Sequence, residues 1–96
     1  MHADFNRLLE RIREGTVEIL DLRNKNIGDD GARALSIALM NENNKVISLY
    51  LSLNSIGDAG AQSLSTALMN ENNKLTTLDL SSNKIGMMEL VRYQLH

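Results

Sequence analysis

Two hydrophobic spacings alternate along this chain. Val17, Leu20 and Leu22 are followed by Val46, Leu49 and Leu51 and then by Leu75, Leu78 and Leu80, each set 29 residues beyond the last. Within a set the last two apolar residues stand two apart, the period of a strand that buries one face. A further apolar position follows at Ile27, Ile56 and Ile85, with Gly28, Gly57 and Gly86 directly after it. Glycine there suits a turn whose backbone takes unusual φ and ψ. The spacing then becomes helical: Ala32, Leu35, Ala38 and Leu39 form an inward stripe, repeated by Ala61, Leu64, Ala67 and Leu68. Asp29 and Asp58 precede these stripes and are expected to cap the helices they start, because a short carboxylate accepts hydrogen bonds from free N–H groups.

Residues 17–45 and 46–74 align without a gap, and a third unit opens at Leu75 before departing from the pattern after Gly86. The run ALMNENNK occurs unaltered at 38–45 and 67–74, where its asparagines are expected to end each helix by taking the left-handed conformation. A strand, a turn and a helix in so short a unit cannot bury their apolar faces alone, whereas stacked copies share one core. The pattern L-x-x-L-x-L-x-x-N-x-I-G-D-x-G-A-x-x-L, present in whole or part over residues 17–86, resembles the ribonuclease-inhibitor class of leucine-rich repeat. The resemblance implies an α/β fold, a right-handed α/β solenoid forming a horseshoe segment, with parallel strands on the concave side and helices on the convex side. One domain is expected over 1–96: a cap helix at 1–16, repeats at 17–45 and 46–74, and a partial or divergent repeat or cap at 75–96. Asn54 and Asn83 occupy the ninth position, where the resemblance implies that the amide satisfies backbone groups of the strand-to-helix turn. Lys25 stands there in the first unit, so its turn is expected to be less rigid than the second.

The ends of such an array need covering. Phe5, Leu8, Leu9 and Ile12 make one helical stripe, with Arg7, Glu10, Arg11, Arg13 and Glu14 outside it and Gly15 as a stop. Covering the first repeat is a more economical use of that stripe than binding a partner. After Gly86, two readings stand open. A third helix turns Leu90 and Tyr93 inward, or Met87, Met88, Val91 and Leu95 leave an apolar end that associates with a second copy.

Composition narrows the function classes. A chain of 96 residues with 43% hydrophobic and 23% charged residues is ordinary for one small globular domain. A net charge of −2 provides no field to attract nucleic acid or anionic lipid, so neither is expected as a partner. Cysteine is absent, which removes disulfides, thiolate nucleophiles and Cys-ligated metals. No segment approaches the roughly 18 apolar residues of a membrane span, and no apolar leader opens the sequence, so a cytoplasmic location, or delivery to a cytosol without a classical signal peptide, is expected. His2 and His96 lie at the chain ends, poor places for a general base or a metal ligand. The stretch 28–31 has neither the Gly-Lys-Ser/Thr ending of a phosphate loop nor the alternating oxygen ligands of a calcium loop. No enzyme activity, metal or cofactor is expected.

What remains is surface. Strand side chains pointing away from the core are expected at Ile19, Asp21, Arg23 and Asn24, at Ser48, Tyr50, Ser52 and Leu53, and at Thr77, Asp79, Ser81 and Ser82. Tyr50 falls between Asp21 and Asp79 in one column, an anchor for a basic or mixed protein surface, although β-propensity alone also accounts for a tyrosine there. The expected function is a non-catalytic protein–protein interaction module that uses this face. Self-association through the C-terminal residues is the alternative. Regulation of a GTPase is a third reading, and it requires a positioned arginine such as Arg23.

Overall fold

A computed structural model describes residues 2–86 of the chain, so Met87, Met88, Val91 and Leu95 lie outside the described residues. The elements run α1 (His2–Glu14), β1 (Ile19–Asp21), α2 (Gly28–Leu39), β2 (Ser48–Tyr50), α3 (Asp58–Leu68) and β3 (Thr77–Asp79). The three strands form one parallel sheet in the order β1-β2-β3. Its register places Leu20, Leu49 and Leu78 side by side, as it does Asp21, Tyr50 and Asp79. Parallel neighbours need a crossover, and here each crossover is a helix, α2 packing against α3 and α1 against α2.

The core is a set of columns that run from unit to unit. Val46, Leu49, Leu51 and Ile56 of the middle unit are fully buried, and Leu35, Leu39 and Leu64 meet them from the helices. Of their counterparts in the third unit, Leu80 is buried and Leu75, Leu78 and Ile85 are half-buried. Leu9 and Ile12 of α1 join the same core, with Phe5 and Leu8 packed against it, and Gly15 ends that helix at a φ of +74°.

Polar side chains knit each unit to its neighbour. The Oδ1 of Asn54 accepts the N–H groups of Lys25 and Ile27 at 2.9 and 3.1 Å, and its Nδ2 donates to the carbonyls of Leu22 and Ser52. Asn83 treats the second turn alike, accepting from Asn54 and Ile56 at 3.1 and 2.9 Å. The asparagine of one unit therefore serves the turn of the unit before it. Lys25 at the ninth position does not leave the first turn without an amide, because Asn54 supplies it.

The aspartates also act across units. Neither α2 nor α3 has a side-chain cap of its own. Asp29 instead accepts the N–H groups of Gly57 and Gly60 at 2.6 and 3.0 Å, at the head of α3, and Asp58 accepts that of Gly86 at 2.6 Å. Asp29 therefore caps the helix of the next unit rather than its own, and Asp58 likewise turns to a backbone N–H of the unit after it. The first unit, which follows α1, differs: Gly28 donates to the Asn54 carbonyl and takes a φ of +68°, whereas Gly57 stays extended at −101°. The asparagine-rich turns differ from expectation as well. Met40 and Met69 end their helices in the right-handed region, and the left-handed residues lie in the strand-to-helix turns, at Asn24, Asn26, Leu53, Ser55 and Ser82. Asn44 is buried and accepts the Val46 N–H at 3.0 Å, and Asn73 accepts that of Leu75. These asparagines hold the turn with their side chains rather than with an unusual backbone.

Candidate functional site

The sheet has one face toward the helices and one that no described element covers. Alternation along each short strand decides what the open face presents. Leu20 and Leu49 point into the core, so Ile19 and Asp21 in β1, and Ser48 and Tyr50 in β2, point out. Thr77 and Asp79 continue the two rows in β3. Ile19 is 68% exposed, an unusual setting for an isoleucine, and Leu53 beyond β2 is 56% exposed.

The centre of this face is organised by charge. Arg23 donates from Nε to Asp21 Oδ1 at 2.8 Å and from Nη2 to Asp21 Oδ2 at 2.6 Å, a bidentate fork. Its guanidinium carbon lies 5.7 Å from the centre of the Tyr50 ring, within cation–π range. The side-chain hydrogen bonds from Arg23, with its backbone N–H, hold the Asp21 carboxyl down at about 2, and Asp21 in turn raises Arg23. Asp79 is also lowered, by the backbone N–H of Ser81 and then by its hydroxyl. Asp21 and Asp79 are therefore ionised throughout the neutral range, on either side of a tyrosine ring steadied by an arginine.

Of the residues expected on this face, Ile19, Asp21, Arg23, Leu53, Thr77 and Ser81 are exposed, and Ser48, Tyr50 and Asp79 are half-buried. Ser52 is not available: it is 9% exposed, buried in the middle unit. A hydroxymethyl group is too short to rise past neighbours on both sides, while Arg23 at the equivalent position of the first unit reaches out over Tyr50. Ile47 is 39% exposed and was not anticipated. The signal was present, since Glu18 and Thr76 occupy its position in the other units.

The arrangement offers recognition groups: an aromatic ring under a guanidinium, two ionised carboxylates and two exposed apolar side chains. Among the described residues no three His, Cys, Asp or Glu side chains gather as a metal site. Tyr50 separates Asp21 from Asp79 in the register. No described helix is long and apolar enough to cross a membrane. A family model described as Leucine Rich repeat matches residues 16–36, 42–65 and 71–86. No curated protein matches the chain.

Proposed function

The chain belongs to the leucine-rich-repeat family, and we propose that it is a non-catalytic protein-binding module of the ribonuclease-inhibitor type. Leucine-rich repeats generally mediate protein–protein interaction. In this reading the units continue a right-handed α/β solenoid, the open sheet face is its concave side, and a protein partner lies across the row Asp21, Tyr50, Asp79. One observation carries the reading: a tyrosine held between two ionised carboxylates, with Arg23 over its ring, on a sheet face that no described element covers. Aromatic residues in ordered surroundings dominate binding energy at protein interfaces. Asp79 has no ion-pair partner among the described residues, so a basic group of the partner fits beside Tyr50, with Ile19 and Leu53 as apolar flanks.

A regulator of GTP hydrolysis needs an arginine free to reach a transferred phosphate, and both ends of the Arg23 fork are already engaged by Asp21. The experiment is affinity capture with the wild-type chain and with Tyr50→Ala, Asp21→Ala and Asp79→Ala, followed by titration of the captured protein. Tyr50→Ala is expected to weaken binding by at least about 2 kcal/mol, the range of an interface hot spot. A partner whose affinity ignores all three substitutions moves the site off this face.

A further inference from the structure

The N-terminal end of the array holds a cleft of about 310 Å³ between α1 and the first strand-to-helix turn. Its lining is Asp4, Phe5, Leu8, Leu22, Lys25 and Ile27. The cleft follows from how the first unit departs from the others. In the second and third units the ninth position carries Asn54 and Asn83, whose amides fill the edge of the core and bond to the turn of the unit before. Among the described residues it is α1, not another strand-to-helix turn, that stands before the first unit, and Lys25 occupies that position exposed to solvent. α1 covers the helix side of the unit, with the Phe5 ring near Gly31, where an added Cβ would lie 3.7 Å from its Cζ. It leaves the flanks of Leu22 and Ile27 as a wall of the cleft.

The rim is cationic on balance. A second hollow of about 230 Å³ continues along α1, lined by Asp4, Arg7, Leu8 and Arg11. Taken together, the two hollows are lined by Lys25 in the first, Arg7 and Arg11 in the second, and one carboxylate, Asp4, in both. Arg7 also touches Glu10 at 3.8 Å, an exposed pair of small worth. Lys25 and Arg11 have no ion-pair partner among the described residues. An apolar floor of this size, at the lower end of ligand pockets, with free cations at its mouth, selects a small molecule with a hydrocarbon body and a negative end.

We propose that this cleft binds an amphiphilic anion, an aliphatic carboxylate, with its chain on Phe5, Leu8, Leu22 and Ile27 and its carboxylate at Lys25. The site is separate from the open sheet face and stands whether or not that face binds a protein. Titration calorimetry with decanoate tests it. Saturable binding at one site is expected, weakening about fourfold for each methylene removed on going to octanoate. Decylammonium, with the same chain and the opposite charge, is expected to bind at least about tenfold more weakly. Lys25→Glu, at a solvent-exposed position, is expected to raise Kd by at least about tenfold with an unchanged thermal melt. Leu8→Trp, which fills the cleft, is expected to abolish binding, and Tyr50→Ala to leave it intact. The proposal fails if wild type shows no saturable binding. It fails equally if decylammonium matches decanoate, or if Lys25→Glu binds decanoate with less than that loss.

Discussion

Leu53 sits at a φ of +59°, the one apolar side chain among the described non-glycine residues with positive φ. The equivalent positions carry Asn24 and Ser82, and asparagine adopts this conformation more readily than leucine. A branched aliphatic side chain pays roughly 1–2 kcal/mol there, and Leu53 gains little burial in return, being 56% exposed. Leu53→Asn is therefore expected to stabilise the protein by about 1 kcal/mol, raising Tm by about 4–8 °C in a domain of this size. If the open face is the binding face, the same variant loses affinity for the partner, the pattern of strain kept for function. Thermal melts beside binding titrations separate the two effects. Asp21 makes a second residue-level prediction. Its carboxyl is depressed to about 2 in the folded chain, so its contribution to stability is complete above the ordinary value of 3.8 and is lost as pH falls toward 2. The urea midpoint of wild type is expected to fall more steeply between pH 4 and pH 2 than that of Asp21→Asn. Above pH 5 the two should run parallel.

At the scale of elements, the middle unit carries the most deeply buried strand residues, Val46, Leu49 and Leu51. Leu49→Ala should cost the 2–5 kcal/mol typical of a fully buried leucine, and Leu78→Ala, at a half-buried position, about half of that. Chemical denaturation of the two variants measures the difference. Gly60→Ala tests the joint between α2 and α3. A Cβ at Gly60 would stand 2.7 Å from Asp29 Oδ1, 2.8 Å from Ile56 Cγ2 and 3.1 Å from Ala32 Cβ. The carboxylate cannot withdraw without releasing the Gly60 N–H, so a loss of about 1–3 kcal/mol is expected, although alanine is the better helix former. These joints mark where the sequence stops being readable. Periodicity exposes a column such as Leu20, Leu49 and Leu78, because burial of one face leaves a period of two and stacking leaves a period of 29. It does not say which copy a polar side chain serves. Asp29 and Asn54 have the right chemistry for a cap and a turn, and in one repeat the nearest backbone is their own. Only the stack brings Gly57 to Asp29 and Lys25 to Asn54. Ser52 fails for a related reason: strand alternation gives direction, whereas exposure also depends on the height of the side chains on either side. The cleft beside Lys25 left one sign in the sequence, a lysine where the pattern wants asparagine.

The whole molecule measures 34 × 29 × 17 Å, and its stability is a sum of units and of the interfaces between them. The two interfaces are unequal. In the first unit Leu20, Leu22 and Ile27 are buried and Val17 is half-buried, whereas in the third Leu80 is buried and Leu75, Leu78 and Ile85 are half-buried. The first unit is also covered by Leu9 and Ile12 of α1. Opening from the third unit should therefore cost less than opening between the first and second. Hydrogen exchange reads this directly, because each boundary has its own reporter amides. The N–H groups of Lys25 and Ile27 are held by Asn54 across the first boundary, and those of Asn54 and Ile56 by Asn83 across the second. Peeling away the third unit frees the second pair and leaves the first closed. Lys25 and Ile27 are expected to exchange at least about tenfold more slowly than Asn54 and Ile56, a gap of about 1.4 kcal/mol. In Asn54→Ala that order should reverse, since the first pair loses its acceptor while Asn83 still holds Ile56. Equal rates for all four amides in wild type would instead mean that the array opens in one cooperative step, with no weaker end from which to unzip.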